Sequence, residues 1–461
     1  VQTLNQIALS VQDLRRTHQW YVDVFGFAMA GGTEAFKGYL AERVQGVPGA
    51  RSSCWWLVDR QDCFQLELFE FERPFPRPLP RDWSRADTGY STIGIHVADF
   101  DATLARAARH GSPGLSAALG EPGRRRVCLR DPDGVLIEVM EDDPRATSPR
   151  ARPRPELPSV VRYVTLTVPD LARAREFFVT GMGLDVATGI PLHGPEHEAL
   201  WGLDGATSES ALLWADDLLV ELVEYVQPRG RPWPVNYCIS DRGLLNIAFG
   251  FRTGSALRRA RTAAVTAGAT PNWIMLDLLN WGVVYVDDPQ RFSVELLYVR
   301  RYWDRAMGFL PALPDRVIER SIDIDASSEV VWQHLIDHAR LHEWWPCREA
   351  CLVTAGEQGN GPGAVREIRS GWQRLRETVV AWEPGRRLDY RLTAGAPLRR
   401  HFGRVELESV SGARCRLRYT IRFCPAIPGT GWLLQRLIAR MLDQGLGRLQ
   451  SLCTTARGEQ Q

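Results

Sequence analysis

Four glutamates sit at the centres of short apolar runs: Glu67 in FQLELFEF, Glu138 in GVLIEVME, Glu221 in LLVELVEY and Glu295 in FSVELLYV. Alternate residues of a strand share a face, so Glu138 points with Leu136 and Met140 while Val135, Ile137 and Val139 point away. A carboxylate among apolar side chains must find a cation or a hydrogen-bond donor, or keep its proton at a raised pKa. Either state suits a general acid or base. Glu67 and Glu138 are therefore candidate catalytic residues, with His96, which shares a face with Thr92 and Gly94 in TIGIHV, as a third. His193 and His197 have the spacing of a helical metal pair, but Gly194 and Pro195 between them predict a loop, which leaves His197 as a pocket-wall residue. In HLIDHARLHEWW, His334, His338 and His342 read as packing and surface positions.

Several other chemistries are excluded. Lys37 is the single lysine, so no phosphate loop of the Gly-Lys-Ser/Thr kind exists and Schiff-base chemistry could rest on Lys37 alone. No Gly-x-Ser-x-Gly elbow occurs, and the glycine-rich EQGNGPG does not stand between a strand and a helix, so it predicts a hairpin loop. The 9 cysteines are scattered without CxxC pairs, which argues against a disulfide framework or a structural zinc site and favours a reducing cytoplasm. A net charge of +1 without basic blocks gives no footprint for nucleic acid or an anionic membrane. The opening residues form a strand pattern and no long apolar stretch follows, so neither export nor membrane insertion is expected.

The elements that must carry these residues repeat. ALSVQDLRRTHQWYVDVFGF (8–27) returns as TLTVPDLARAREFFVTGMGL (165–184): an alternating strand, an aspartate that can cap a helix, an amphipathic run and a closing glycine. In the first copy Ile7, Leu9 and Val11 face the helix, and Gln6 belongs to the other, concave side. Pro/Arg-rich breaks at 142–158 and 307–315 divide the chain into 1–145, 159–305 and 315–461. Each of the first two segments repeats a strand, a helix and a glutamate-bearing strand, with a proline-rich connector between the copies, giving four related units. The last segment differs. It has a strand and a Ser-capped helix (SIDIDASSEVVWQHLIDHARLHEWWP), antiparallel strand candidates, and a closing helix with a Leu-rich stripe.

With VQDL/VPDL, FGF/MGL, the LEL and VEL strands and LRDPDGVLIEV in place, the first two segments resemble the vicinal oxygen chelate superfamily of glyoxalases, bleomycin-resistance proteins and extradiol dioxygenases. The last resembles the START-like polyketide cyclase/dehydrase superfamily. The resemblance implies an α+β chain: two tandem domains of paired βαβββ modules, then a helix-grip domain around an apolar pocket. It also implies ligand positions on the first and last strands of each module, namely Gln6 and Glu67, Thr92 and Glu138, Tyr163 and Glu221, Asn246 and Glu295. The family's histidines are absent from this set, which disfavours ring-cleaving iron chemistry and zinc. No cofactor is expected; were a divalent metal bound, Gln6, Glu67 and Glu138 would form an all-oxygen site suited to Mg²⁺ or Mn²⁺, and a cup shared between the halves would instead join Gln6 and Glu67 to Asn246 and Glu295. In the last domain Trp345, Arg366, Trp372 and Tyr390 are expected to line a ligand pocket.

The sequence thus predicts a cytoplasmic tailoring enzyme of polyketide-like metabolism. Its expected chemistry is a proton-transfer cyclisation, isomerisation or elimination on a hydrophobic oxygenated small molecule. The expected partner is that substrate, with a homodimer admitted and neither nucleic acid nor membrane. A metal-free sequestering protein and a metal-dependent glyoxalase-like lyase are the alternatives.

Overall fold

The computed structural model describes residues 3–458 apart from 81, 149, 190, 191, 314, 372 and 428, and leaves out the side chains of 34, 35 and 455–458. The chain is α+β and divides into two compact units, Val1–Ala312 and Leu313–Gln461. Among the described residues no helix is long and apolar enough to cross a membrane.

The expectation of separate domains at 1–145 and 159–305 gives way here. Strand Thr3–Ser10 pairs antiparallel with Gly243–Phe251, and Gly89–Val97 pairs with Ser159–Thr167. The first module therefore completes its sheet with the fourth, and the second with the third. The physical reason is the exposed edge of each module's first strand, a row of unpaired backbone groups that only another strand can satisfy. Each half contributes one module to each sheet, so neither half closes on its own.

Local signals behave as the sequence predicts. Asp13 caps helix Leu14–Phe25 by accepting from the backbone N–H groups of Arg15 and Arg16, and Gly26 ends it in the left-handed region at φ 68°. Asp99 and Asp170 cap the helices of the second and third modules in the same way. Ile7, Leu9, Leu66, Leu68, Ile247 and Leu296 point from the strands into one apolar core shared with the helices. Their alternate neighbours, including Gln6, Glu67, Asn246 and Glu295, therefore face the concave side. The two concavities are called cup I (first and fourth modules) and cup II (second and third) below.

The C-terminal unit is a seven-stranded antiparallel sheet with helix Gly431–Gly458 packed beside strands Arg316–Ile324 and Arg414–Pro425. Leu442, Leu446, Leu449 and Cys453 form its buried stripe, against Ile318, Trp344, Tyr390 and Tyr419 among others.

Candidate functional sites in the two cups

In cup I, strand Gln65–Arg73 runs parallel to Thr3–Ser10 and places Glu67 beside Ala8, one strand position beyond Gln6 on the same face. Gln6 donates through Nε2 to Glu67 Oε2, while Cys54 Sγ and Trp56 Nε1 donate to Glu67 Oε1 at 3.0 and 2.8 Å. Burial raises the Glu67 pKa to about 7 in spite of these three neutral donors. Glu295, brought in by strand Ser293–Val299, is raised to about 8, first by burial and then by the charge of Glu67, against the weaker pull of Tyr285 and Asn246. Both amide heteroatoms of Asn246, Oε1 of Gln6 and Oε2 of Glu295 are buried and make no hydrogen bond of normal geometry. The surrounding wall is apolar and aromatic, with Ala8, Trp56, Phe69 and Phe71 on one side and Val283, Leu297 and Phe309 on the other. Two carboxyl groups with raised pKa values thus stand among unpartnered polar atoms in apolar surroundings.

Cup II has the same strand plan and a different electrostatic content. His193 enters from the loop after Asp185–Val186 and bridges the two glutamates, Nδ1 to Glu221 Oε1 at 2.6 Å and Nε2 to Glu138 Oε2 at 2.9 Å. Arg85 donates to Glu221 at 2.8 Å and Arg126 to Glu138 at 3.2 Å; Thr165 and the Tyr163 hydroxyl add donors at 2.7 and 2.6 Å. Burial is the largest single influence and opposes ionisation of both carboxyl groups, but the charge and hydrogen bond of His193, together with Arg126 and Tyr163 at Glu138 and with Arg85 and Thr165 at Glu221, jointly outweigh it and hold each at about 2. Burial likewise opposes the imidazolium, yet Glu221 and Glu138 lift it to about 9. Arg85 also contacts Thr92 at 3.2 Å and Tyr225 at 2.8 Å, and lies over the Trp201 ring. Tyr163 reaches Glu138 only because Gly94 lies beneath its ring: a Cβ there would stand 1.7 Å from Cε1.

The sequence-predicted residues therefore sort into two groups. Gln6, Glu67, Asn246 and Glu295 come together, as do Thr92, Glu138, Tyr163 and Glu221. The pairing of Glu67 with Glu138 fails, and with it a metal set of Gln6, Glu67 and Glu138, because Glu138 belongs to the other sheet. His96 joins neither pair; its Nδ1 lies 2.8 Å from Arg60 and 3.8 Å from Asp143, and burial, with the charges of Arg60 and Arg162 exceeding that of Asp143, lowers its pKa. His197 stays behind the loop, accepting from the Gly194 backbone N–H at 2.9 Å, so the histidine that enters the cup is its neighbour His193. Sequence reasoning missed Arg85, Arg126, Cys54, Trp56 and Tyr285. Trp56 and Tyr285 pair directly with Glu67 and Glu295 in the sheet register, the alignment that could have found them.

Residues 3–139 match the model of the Glyoxalase/Bleomycin resistance protein/Dioxygenase superfamily, and residues 315–454 that of Polyketide cyclase / dehydrase and lipid transport. The chain joins a glyoxalase-like region to a polyketide-cyclase-like one. Both are superfamilies of small-molecule-modifying enzymes or binding proteins, and the chain is of that kind. Among curated proteins none matches. Solved structures similar to it include glyoxalase I from Zea mays, at 17% identity over 65% of this chain and 92% of that one with a TM-score of 0.46. A putative dioxygenase from Bacillus subtilis shows 12% identity over 68% and 91% with a TM-score of 0.46. A START superfamily protein from Mycobacterium smegmatis shows 12% identity over 30% and 98% with a TM-score of 0.28.

The metal that some glyoxalase-like proteins carry has a fitting donor set in cup I alone. The carboxylates of Glu67 and Glu295 and the amide oxygens of Gln6 and Asn246 are hard donors, the kind that Mg²⁺ or Mn²⁺ accepts, and three of these oxygens are unpartnered. In cup II the equivalent space is taken by His193. Among the described residues no group of three or more His, Cys, Asp or Glu could hold a metal.

In the cyclase-like unit, Arg366 and Glu377 are cross-strand neighbours and form a buried ion pair through Nε and Nη2 at 2.8 and 2.7 Å. The guanidinium lies over the Tyr390 ring, and the Tyr390 hydroxyl bonds that of Tyr419 at 2.6 Å, beside Trp345. His338 Nδ1 is 3.4 Å from Arg366, and burial, reinforced by that positive charge, lowers it to about 4. Arg366, Tyr390 and Trp345 thus share one interior cluster, whose further members His338, Glu377 and Tyr419 the sequence did not suggest. Trp372 lies outside the described residues.

Proposed function

We propose that the chain is an enzyme that moves protons on a hydrophobic, oxygenated small molecule, with the chemistry in cup I. The observation that carries this is the Glu67–Glu295 pair: two buried carboxyl groups, Glu67 raised by burial and Glu295 by burial and then by the charge of Glu67, so that the pair holds on to a proton near neutrality. A general acid–base pair works best with pKa values near the operating pH. Glu67, with three hydrogen-bond donors, is the group that carries the charge and acts as base; Glu295, with an unpartnered oxygen, holds the proton and acts as acid. Glu67 takes a proton from the carbon next to a carbonyl, the C–H electron pair moves into the enolate, and Glu295 returns its proton to oxygen or to a different carbon. Protonation at a different carbon completes an isomerisation; in a cyclisation the enolate carbon bonds to a second carbonyl carbon, whose oxygen takes the Glu295 proton; in an elimination the enolate expels a β-oxygen substituent, which leaves with that proton. The Gln6 and Asn246 amides orient the substrate oxygen, and the aromatic wall excludes water. A divalent cation in cup I would supply charge stabilisation of the enolate.

The polyketide-cyclase match at 315–454 supports the polycyclic, oxygenated substrate class. The test is deuterium wash-in at the carbon adjacent to the carbonyl of polycyclic aryl methyl ketones, followed by NMR. Catalysed exchange is expected with the native protein, and a loss of at least ~100-fold in Glu67→Gln or Glu295→Gln. Stoichiometric binding without exchange would establish a sequestering protein instead and overturn the proposal.

A further inference from the structure

Outside both cups, the two proline-rich connectors of the glyoxalase-like unit exchange places. RPLPRDWSRADTGY (77–90) and RPWPVNYCISDRGL (231–244) occupy equivalent positions. Arg77 donates to Asp241 through Nε at 2.9 Å and Nη2 at 2.6 Å, and Arg231 repeats this on Asp87 at 3.1 and 2.7 Å. The backbone N–H of Arg242 bonds the Arg77 carbonyl and that of Thr88 bonds the Arg231 carbonyl, both at 2.9 Å. Leu79 packs on Gly243 and Trp233 on Gly89, at positive φ of 122° and 155° where a side chain would be strained. Each connector thus latches onto the opposite half, and between them lies a cavity of about 390 Å³.

The two sides of this arrangement differ at several positions. On one side the Trp233 indole stacks on Tyr237 at 4.3 Å and meets Phe292 edge-on at 5.1 Å. On the other side Trp83 stands in place of Tyr237, while Leu79 and Val135 stand in place of Trp233 and Phe292; all three line the cavity, and ring volume is missing at the last two positions. A further difference is charge. Arg77 and Arg231 are paired with Asp241 and Asp87, whereas Arg242, which replaces Thr88, donates to the neutral Gln12 at 2.8 Å, has a buried Nε without a partner, and acts on the carboxyl of Asp133 through its charge rather than through an ion pair. The cavity therefore offers an apolar space beside Leu79 and Val135, where rings stand across the pseudo-symmetry, with one arginine that no carboxylate among the described residues pairs directly.

We propose that this cavity binds a planar aromatic monoanion of about two fused rings, a carboxylate or phenolate, with its rings beside Leu79 and Val135 and its acidic oxygen on Arg242. Asp87 and Asp241 on the same wall disfavour a dianion. The site is distinct from cup I and its existence does not depend on the acid–base reading. The probe is 2-naphthoate, titrated by fluorescence against the full chain, with naphthalene-2-carboxamide as its neutral analogue. One-to-one binding is expected, weakened at least ~10-fold for the carboxylate but not for the amide in Arg242→Met, since a hydrogen bond to a charged group is among the stronger ones. Leu79→Trp and, independently, Val135→Phe should fill the space and abolish binding of both probes, with folding checked by near-ultraviolet circular dichroism. Glu67→Gln should leave binding unchanged, and Leu79→Trp should leave the deuterium exchange of cup I unchanged. Absence of binding, binding indifferent to both filling substitutions, or binding lost with Glu67→Gln overturns the proposal.

Discussion

In cup II the glutamates face two guanidinium groups and an imidazole; in cup I the equivalent glutamates face an indole, a thiol and two amides. Strand register and connector alignment locate the difference. Arg126 stands opposite Met140 as Val283 stands opposite Leu297, and Arg85 occupies the connector position that Ile239 occupies in the other half. Thr165, which donates to Glu221, is replaced in cup I by Ala8 beside Glu67. One duplicated frame therefore yields two electrostatic outcomes. Cup II carries its own cations and is internally satisfied; cup I keeps carboxyl groups that nothing in the described structure neutralises. The comparison teaches that the fold positions acids and the residues behind them decide whether they are structural or reactive.

The largest expected effect tests that division directly. Replacing Glu138 or Glu221 by Gln leaves His193 and an arginine buried with half their negative charge gone, which should cost about 3–5 kcal/mol in unfolding free energy at neutral pH. Denaturant titration reads it. Removing the bridge with His193→Ala should cost a comparable amount, because two carboxylates then face each other without it; a change smaller than about 1 kcal/mol would mean that His193 merely rests at the cup. In Gly94→Ala the new methyl group would displace Tyr163 from Glu138, with an expected loss of about 1–3 kcal/mol.

Cup I should respond with the opposite sign. A carboxyl whose folded pKa is raised favours the native state below its unfolded value and loses that advantage as pH rises through the folded one. Glu67→Gln and Glu295→Gln should therefore be near neutral for stability at about pH 5 and stabilising by about 1–3 kcal/mol at about pH 9, while abolishing exchange. The acid limb of the native protein reads the same cup II interaction without a substitution. Glu138 and Glu221, held at about 2, lend stability that is complete above their ordinary range and fades as pH falls from about 4.5 toward 2. Thermal unfolding across that window should show a decline that Glu138→Gln flattens.

Much of this was legible in the chain. Alternation in GVLIEVME placed Glu138 inward, and the Asp-capped helices announced the repeated module. What the sequence hid was non-local. Which modules share a sheet depends on strand edges far apart in sequence, Thr3–Ser10 against Gly243–Phe251 and Gly89–Val97 against Ser159–Thr167, so Glu67 found Glu295 rather than Glu138. The stretch HGPEHEALW reads as a loop in the sequence, but Pro195–Trp201 forms a short 3-10 helix that carries His197, and His193 just before it reaches Glu138 and Glu221. Arg85 and Arg126 reach their glutamates across the chain fold, and no local period marks them. In the cyclase-like unit Arg366 and Tyr390 were visible as a polar residue and a ring in strand patterns, whereas Glu377 followed only from strand register and Tyr419 only from the contact Tyr390 makes across Gly403 of the intervening strand.

The most direct test of the account is ¹³C NMR of the full chain labelled at the glutamate side-chain carboxyl carbons, titrated from about pH 4 to about pH 10. Two buried carboxyl groups should titrate around neutrality, one vanishing in Glu67→Gln and the other in Glu295→Gln, while Glu138 and Glu221 remain ionised throughout. If Glu67 and Glu295 titrate in the ordinary acidic range, or if the near-neutral signals belong to Glu138 and Glu221, the assignment of a reactive and a structural cup is wrong.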